Sequence, residues 1–320
     1  MAQTGQKTVL LHLGAHKTAT TSVQHWCQSN AGLLLENGFL YCGHTLRERS
    51  AYRILRTACE AARGECAPPD QSAAIAILRK SMQQQLQQPG VKAYLIPWEI
   101  YLGEPWRAGS EDFYPGAAAA IAALQAILHG LPVRILYTLR DQWGFLNSWY
   151  QQLQKMGRSL EPEPYIAWCS RADLSWQPLI ARLRAGFGAA NVHVTGYQPE
   201  GMVHSLLREY GLPPKITATL PPLRVNRAWP REAMEIAAFT MPKLSAADQA
   251  QLRALLDQGF REHPSPAFQV LPPQLRPELD ALWHQDQAAL LGPVPAPDPP
   301  VAAARTGSDP VTAPAPPAPG

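Results

Sequence analysis

The stretch Val9-Leu10-Leu11-His12-Leu13-Gly14-Ala15-His16-Lys17-Thr18-Ala19-Thr20-Thr21-Ser22-Val23-Gln24 limits what this chain can fold into more than any other. It opens as a short, unbroken apolar run of the kind that a parallel sheet buries on both faces. It then passes through a turn carrying Gly14 and Lys17 and enters a hydroxyl-rich helix start. Strand, loop and helix in that order make an anion-binding layout. The first N–H groups of a helix have no intrahelical partner, and the macrodipole places partial positive charge there. A phosphate or sulfate at that point would meet those amides, the Lys17 ammonium and the hydroxyls of Thr18, Thr20, Thr21 and Ser22. Phosphoryl or sulfuryl transfer is the chemistry suggested. The bland alternative is an ordinary strand-to-helix turn capped by its threonines.

The loop is not a Walker A sequence, because G-x-x-x-x-G-K-[ST] requires a second glycine directly before the lysine and His16 stands there. Lys17-Thr18-Ala19-Thr20-Thr21 instead resembles the 5′-phosphosulfate loop of the sulfotransferases, whose pattern is Lys, a small or hydroxyl residue, Gly, Thr, Thr. The glycine of that pattern is Ala19 here, which suits a helical backbone and strains one with positive φ.

A second segment carries the same resemblance. Val133-Arg134-Ile135-Leu136-Tyr137-Thr138-Leu139 is the clearest buried strand in the chain, and it ends in Arg140-Asp141-Gln142-Trp143 before a helix bearing Leu146, Asn147, Ser148, Trp149 and Tyr150. Sulfotransferases bind the 3′-phosphate of the sulfate donor with an arginine at the end of such a strand and a serine eight residues later, the spacing of Arg140 and Ser148. The run through Ser-Trp-Tyr-Gln-Gln is similar to the family's bacterial members. An arginine fork matches phosphate oxygens bidentately, and a serine is small enough to approach closely and donate once more. The bland reading of Arg140-Asp141 is an exposed salt-bridging turn. Trp143, Trp149 and Tyr150 read as core aromatics rather than base-stacking ones. Leu223-Arg224-Val225-Asn226-Arg227 is similar to the Arg and Asn segment near the donor nucleotide in bacterial relatives, which adds Arg224 and Arg227 to the candidates.

The resemblance implies a three-layer, P-loop-like α/β fold with a central, mainly parallel sheet flanked by helices. It implies 3′-phosphoadenosine 5′-phosphosulfate (PAPS) as donor, no metal, and transfer of the sulfuryl group to a hydroxyl or amine of a saccharide, lipid-linked glycan or small molecule. Donor contacts would come from His16, Lys17, Thr18, Ala19, Thr20, Thr21, Ser22, Arg140 and Ser148, with Lys17 neutralising charge in the transition state. The base has to come from elsewhere. Ala93-Tyr94-Leu95-Ile96 reads as an apolar strand ending in Pro97-Trp98-Glu99, and ligands of open α/β sheets sit outside the carboxyl ends of strands. Glu99 is therefore the first candidate base, its bland reading being a surface or helix-start carboxylate. His16 is the runner-up, while His12, inside the strand, reads as a satisfied core histidine.

Periodicity predicts further helices over 20–37, 50–63, 71–88, 116–129, 174–187, 202–210, from 231, and over 245–263 and 274–291, with short strands at 39–42 and 192–194. One domain over 1–292 is expected. Residues 293–320, almost all Pro, Ala, Val, Asp, Gly, Ser and Thr, are expected to form a disordered tail, since they cannot bury enough apolar surface to offset ordering. A net charge of +3 without basic runs does not indicate nucleic-acid binding. Cys27, Cys42, Cys59, Cys66 and Cys169 are odd in number and form no C-x-x-C pair, which argues against a disulfide framework or zinc site. No apolar run approaches a membrane span, and the N-terminus lacks a signal-peptide pattern, so a cytoplasmic location is expected, with transient action at a membrane face compatible. The rival readings are a P-loop kinase or nucleotide hydrolase, which needs the missing glycine and a strand-end aspartate for Mg²⁺, and a non-catalytic scaffold that has kept the donor-binding fold.

Overall fold

The computed structural model describes residues 7–42, 51–68, 70–158, 160–198, 201–217, 228–260 and 266–292. Arg224, Arg227 and the segment 293–320 lie outside them. The architecture is α/β. Strands β1 (Thr8–His12), β2 (Phe39–Tyr41), β3 (Ala93–Pro97), β4 (Val133–Leu139) and β5 (Val192–Gly196) form one sheet in the order β2-β3-β1-β4-β5. Every pairing is parallel, so the sheet expected to be mainly parallel is wholly so among the described strands.

The helices are α1 (Thr20–Ser29), α2 (Ala31–Glu36), α3 (Ala51–Ala62), α4 (Ser72–Gln87), α5 (Ala117–Ile127), α6 (Gln142–Lys155), α7 (Pro162–Cys169), α8 (Gln177–Phe187), α9 (Met202–Glu209), α10 (Pro214–Thr217), α11 (Arg231–Thr240), α12 (Ala246–Gly259) and α13 (Arg276–Leu290). Alternation along each strand divides the core in two. Val9, Leu11, Ile96, Ile135, Tyr137 and Leu139 face the larger cluster, which includes side chains of α3, α5, α6 and α8. Leu10, Leu95 and Leu136 face the smaller one, with Val23, Trp26 and Cys27 of α1 and Met202, Val203, Leu206 and Leu207 of α9. Helices on both faces leave β1 buried at all five positions, which is why Val9, Leu10 and Leu11 are apolar and why the Thr8 hydroxyl donates to the Pro132 carbonyl at 2.9 Å.

The helix expected over 20–37 is two helices. Asn30 leaves helical geometry at φ −119°, and its side-chain amide donates to the Trp26 carbonyl at 2.9 Å, a local alternative that Asn offers to the backbone and that interrupts the ladder. Gly38 then ends α2 at φ +88°, where a Cβ would collide with the Gly90 carbonyl oxygen. Helix α7 lies where the periodicity predicts no helix, and it starts with Pro162 in its first turn. The cysteines are free, and all but Cys66 are buried packing residues.

Chain order sets the site. From β1 the chain passes to the far edge of the sheet, at β2; from β4 it passes the other way, to β5. The crevice outside the carboxyl ends of β1 and β4 is thus a topological switch point, with the end of β3 alongside.

Candidate anion-binding site

The loop after β1 extends the sheet before it turns. Leu13 N–H donates to the Leu136 carbonyl at 2.9 Å and Ala15 N–H to the Thr138 carbonyl at 3.0 Å. Beneath it lies His12, fully buried, with Nδ1 2.9 Å from the Tyr210 hydroxyl and Nε2 3.2 Å from Thr138 Oγ1. Both ring nitrogens are satisfied and burial lowers its pKa to about 3, so His12 is a neutral core residue, as expected. It also dictates Gly14, where a Cβ would sit 2.5 Å from His12 Nε2.

Lys17 and Ala19 both have φ of 65°. This left-handed pair is uncommon for residues with a Cβ and costs each about 1–2 kcal/mol, the kind of strain that surrounding structure holds in place at functional loops. Ala19 is the N-cap of α1, and no side chain caps that helix. The threonine-capped turn of the bland reading is therefore not what forms: Thr18 is fully buried and its hydroxyl donates back to the Ala15 carbonyl at 2.6 Å. Thr20 and Ser22 are buried and Thr21 and Ala19 partly so. The first backbone amides of α1 are thus left without a side-chain cap. Because glycine tolerates this φ, Ala19→Gly should raise stability by about 0.5–1 kcal/mol. Thermal unfolding checks this, and a lowered midpoint would contradict the strain.

Two cations converge on this loop. Lys17 Nζ donates to Gln152 Oε1 of α6 at 3.1 Å. Arg140, at the end of β4, donates through Nη1 to the Lys17 carbonyl at 2.7 Å, so the strand end directly holds the loop. Arg140 makes no ion pair among the described residues, its guanidinium lies 4.9 Å from the Tyr197 ring centroid, and its Nε is buried without a partner. The exposed salt-bridging turn is thus corrected: Asp141 serves as the N-cap of α6, accepting from Gly144 N–H at 2.6 Å. Ser148 is partly exposed one turn before Gln152 on the same helix, so both belong to one α6 face.

Burial together with Lys155 and Arg140 brings the Lys17 pKa down to about 8, while Glu99 and Asp257 work in the opposite direction. Glu99 opens a 3-10 turn, Glu99–Leu102, directly after β3. Gln24 of α1 bridges it to the strand end, its Nε2 lying 2.8 Å from the Pro97 carbonyl and 3.4 Å from Glu99 Oε2. Burial raises the Glu99 pKa, with Thr20, Lys17 and Gln24 offsetting part of the rise. Raised basicity is one property that a general base requires. His16 sits in a different setting: its Nδ1 is 3.1 Å from the Tyr114 hydroxyl, its ring packs edge-on to Trp149 at 4.8 Å, and burial plus the charges of Lys17 and Arg63 lower its pKa to about 3.

Three supporting residues escaped sequence reasoning. Gln152 was within reach of it, since Ser148 plus one helical turn lands there. Trp176 and Asp286 were not. Trp176 Nε1 donates to the Arg140 carbonyl at 2.9 Å, and its own N–H donates to Asp286 Oδ2 at 2.9 Å. Asp286, fully buried on α13, also receives Gln142 at 2.7 Å and Ser175 at 2.7 Å, tying the starts of α6 and α8 behind Arg140. Trp143, Trp149 and Tyr150 are all buried, as core aromatics are.

No protein-family model matches the chain, and no curated protein matches it. Among solved structures the chain is similar to a sulfotransferase from Alicyclobacillus acidocaldarius, with 17% sequence identity and a TM-score of 0.39 over 81% of this chain and 100% of that one. No described helix is long and apolar enough to cross a membrane.

Proposed function

We propose that this chain is a PAPS-dependent sulfotransferase that moves the sulfuryl group to a hydroxyl or amine of a saccharide, lipid-linked glycan or small-molecule acceptor. The observation that carries the reading is the charge imbalance of the switch-point crevice. Lys17 and Arg140 are drawn together there at an uncapped helix start, and Arg140 Nε is buried with nothing to bond. Buried donors without acceptors are costly, about 1–3 kcal/mol each, and an anion at this point would remove that cost.

In this reading Lys17 and the α1 amides meet the phosphosulfate end of the donor, and Arg140 with Ser148 takes the 3′-phosphate. Glu99 accepts the acceptor's proton as its oxygen or nitrogen forms a bond to sulfur. The bond from sulfur to the bridging oxygen breaks, and the electron pair leaves on the 5′-phosphate of adenosine 3′,5′-bisphosphate. Lys17 offsets the charge that gathers on that oxygen.

Calorimetric titration with adenosine 3′,5′-bisphosphate, beside ATP with Mg²⁺, tests the reading. Micromolar or tighter binding of the bisphosphate in preference to ATP supports it; preference for Mg-ATP replaces it with the kinase reading, and binding of neither leaves the scaffold. The pH dependence follows from Lys17. An ammonium binds the anion and a neutral amine does not, and its pKa in the free protein is about 8. Affinity should therefore fall above that value, by at most about ten-fold per pH unit. Titrations between neutral and alkaline pH check this, and an affinity that rises with pH would contradict it.

A further inference from the structure

We propose that Lys155 is a further cation of this anion site, presented by α6 and held on Asp257 until an anion arrives. The reading of the donor above supplies only the identity of that anion. Ser148, Gln152 and Lys155 follow one another at helical spacing, so they occupy one face of α6. Gln152 fixes where that face looks, because its Oε1 takes the Lys17 ammonium at 3.1 Å.

Lys155 lies one turn further along. Its side chain is only 12% exposed, unlike an ordinary surface lysine, and Nζ stands 3.1 Å from Asp257 Oδ1 and 4.2 Å from the Trp229 ring centroid. Asp257 comes from α12, and its side chain is 49% exposed. The same Oδ1 also accepts Trp229 Nε1 at 2.7 Å, and Trp229 N–H is locked to α6 through Gln151 Oε1 at 3.0 Å. The chain after residue 227 is thereby laid over α6 so that its aromatic face and one carboxylate hold Lys155 beside the loop.

The electrostatics agree with that placement. After burial, Lys155 is the largest influence lowering the pKa of Lys17, and burial lowers the pKa of Lys155 itself. Lys17 and Lys155 are thus two desolvated ammonium groups that both feel the exposed carboxylate of Asp257, with Glu99 acting on Lys17 and Arg253 adding positive charge around Lys155. An arriving polyanion relieves the repulsion and competes with Asp257 for Lys155.

An anion-binding role and a mere tie between α6 and α12 predict different signs. If Lys155 binds the anion, Lys155→Gln weakens binding by about ten-fold, the loss of one charge-assisted bond. Asp257→Asn keeps the acceptor for Trp229 but removes the competitor, so it should tighten binding by about three-fold, and Lys155→Arg should stay near wild type. Titration calorimetry of these variants with adenosine 3′,5′-bisphosphate and with inorganic pyrophosphate makes the comparison. Opposite shifts for the Gln and Asn variants with either anion support the assignment. Shifts in the same direction, or none in a wild type that binds, overturn it. If wild type binds pyrophosphate and ignores the bisphosphate while the opposite shifts persist, the donor reading falls and Lys155 stands. If it binds neither anion, both fall.

Discussion

Glu99→Gln is expected to lower kcat by about 10²–10⁴-fold, the usual contribution of a positioned general base, while leaving adenosine 3′,5′-bisphosphate affinity at or slightly above wild type. The amide matches the carboxylate in shape, so the contact from Gln24 and the turn that opens at residue 99 should survive. It cannot take a proton. Removing the negative charge also leaves the anion loop more positive, which is why affinity should not fall. The wild-type profile adds a second signature. Burial holds the Glu99 pKa above the ordinary carboxylate value, so activity rises with pH as that group loses its proton, and this acid limb should vanish in the variant. Bisphosphate release from the sulfate donor in the presence of an acceptor, measured across pH, provides both readouts. If Glu99→Gln turns over normally and His16→Ala does not, the assignment of the base is reversed.

Arg140→Ala should weaken adenosine 3′,5′-bisphosphate binding by about 100-fold, or about 2.7 kcal/mol, from loss of a buried, charge-assisted phosphate contact. Two effects combine. The variant removes the donor group whose Nε is buried without a partner, and it releases the Lys17 carbonyl that Nη1 holds, so the strained loop is no longer fixed at its lysine. Stability should change little, because the bond lost at the Lys17 carbonyl is offset by relief of burying a guanidinium that has no ion pair among the described residues. Arg140→Lys should recover only part of the affinity, since an ammonium brings the charge without the fork. Titration calorimetry and thermal unfolding on the same samples separate the two quantities. Affinity that survives the alanine substitution would remove Arg140 from the site, whereas affinity and unfolding midpoint falling together would make it a structural residue.

Much of this arrangement is legible along the chain, because it is local. The apolar run of β1 reports burial on both faces, the loop and hydroxyl-rich stretch report the turn into α1, and Arg140 and Glu99 are marked by standing at the ends of apolar strands. Each inference needs only periodicity and the rule that parallel strands open their carboxyl ends to ligand. Local reasoning failed where a side chain competed with its own backbone, as Asn30 does in splitting one helix into two. It also left open the conformation of Ala19, since alanine is compatible with a helix start and the positive φ is imposed by the turn around it.

Legible along the chain are the strand, loop and helix at the N-terminus and the second strand ending in arginine. Tertiary packing settled which groups lie together. It turned Thr18 inward, set His16 against Tyr114 and Trp149, brought Arg140 to the Lys17 carbonyl, and backed it with Trp176 and Asp286 from far along the chain. The physical reason is range. Hydrophobic period and strand-end position are properties of neighbouring residues, whereas desolvation, charge coupling and hydrogen-bond partnership depend on which distant segments packing brings within a few ångströms.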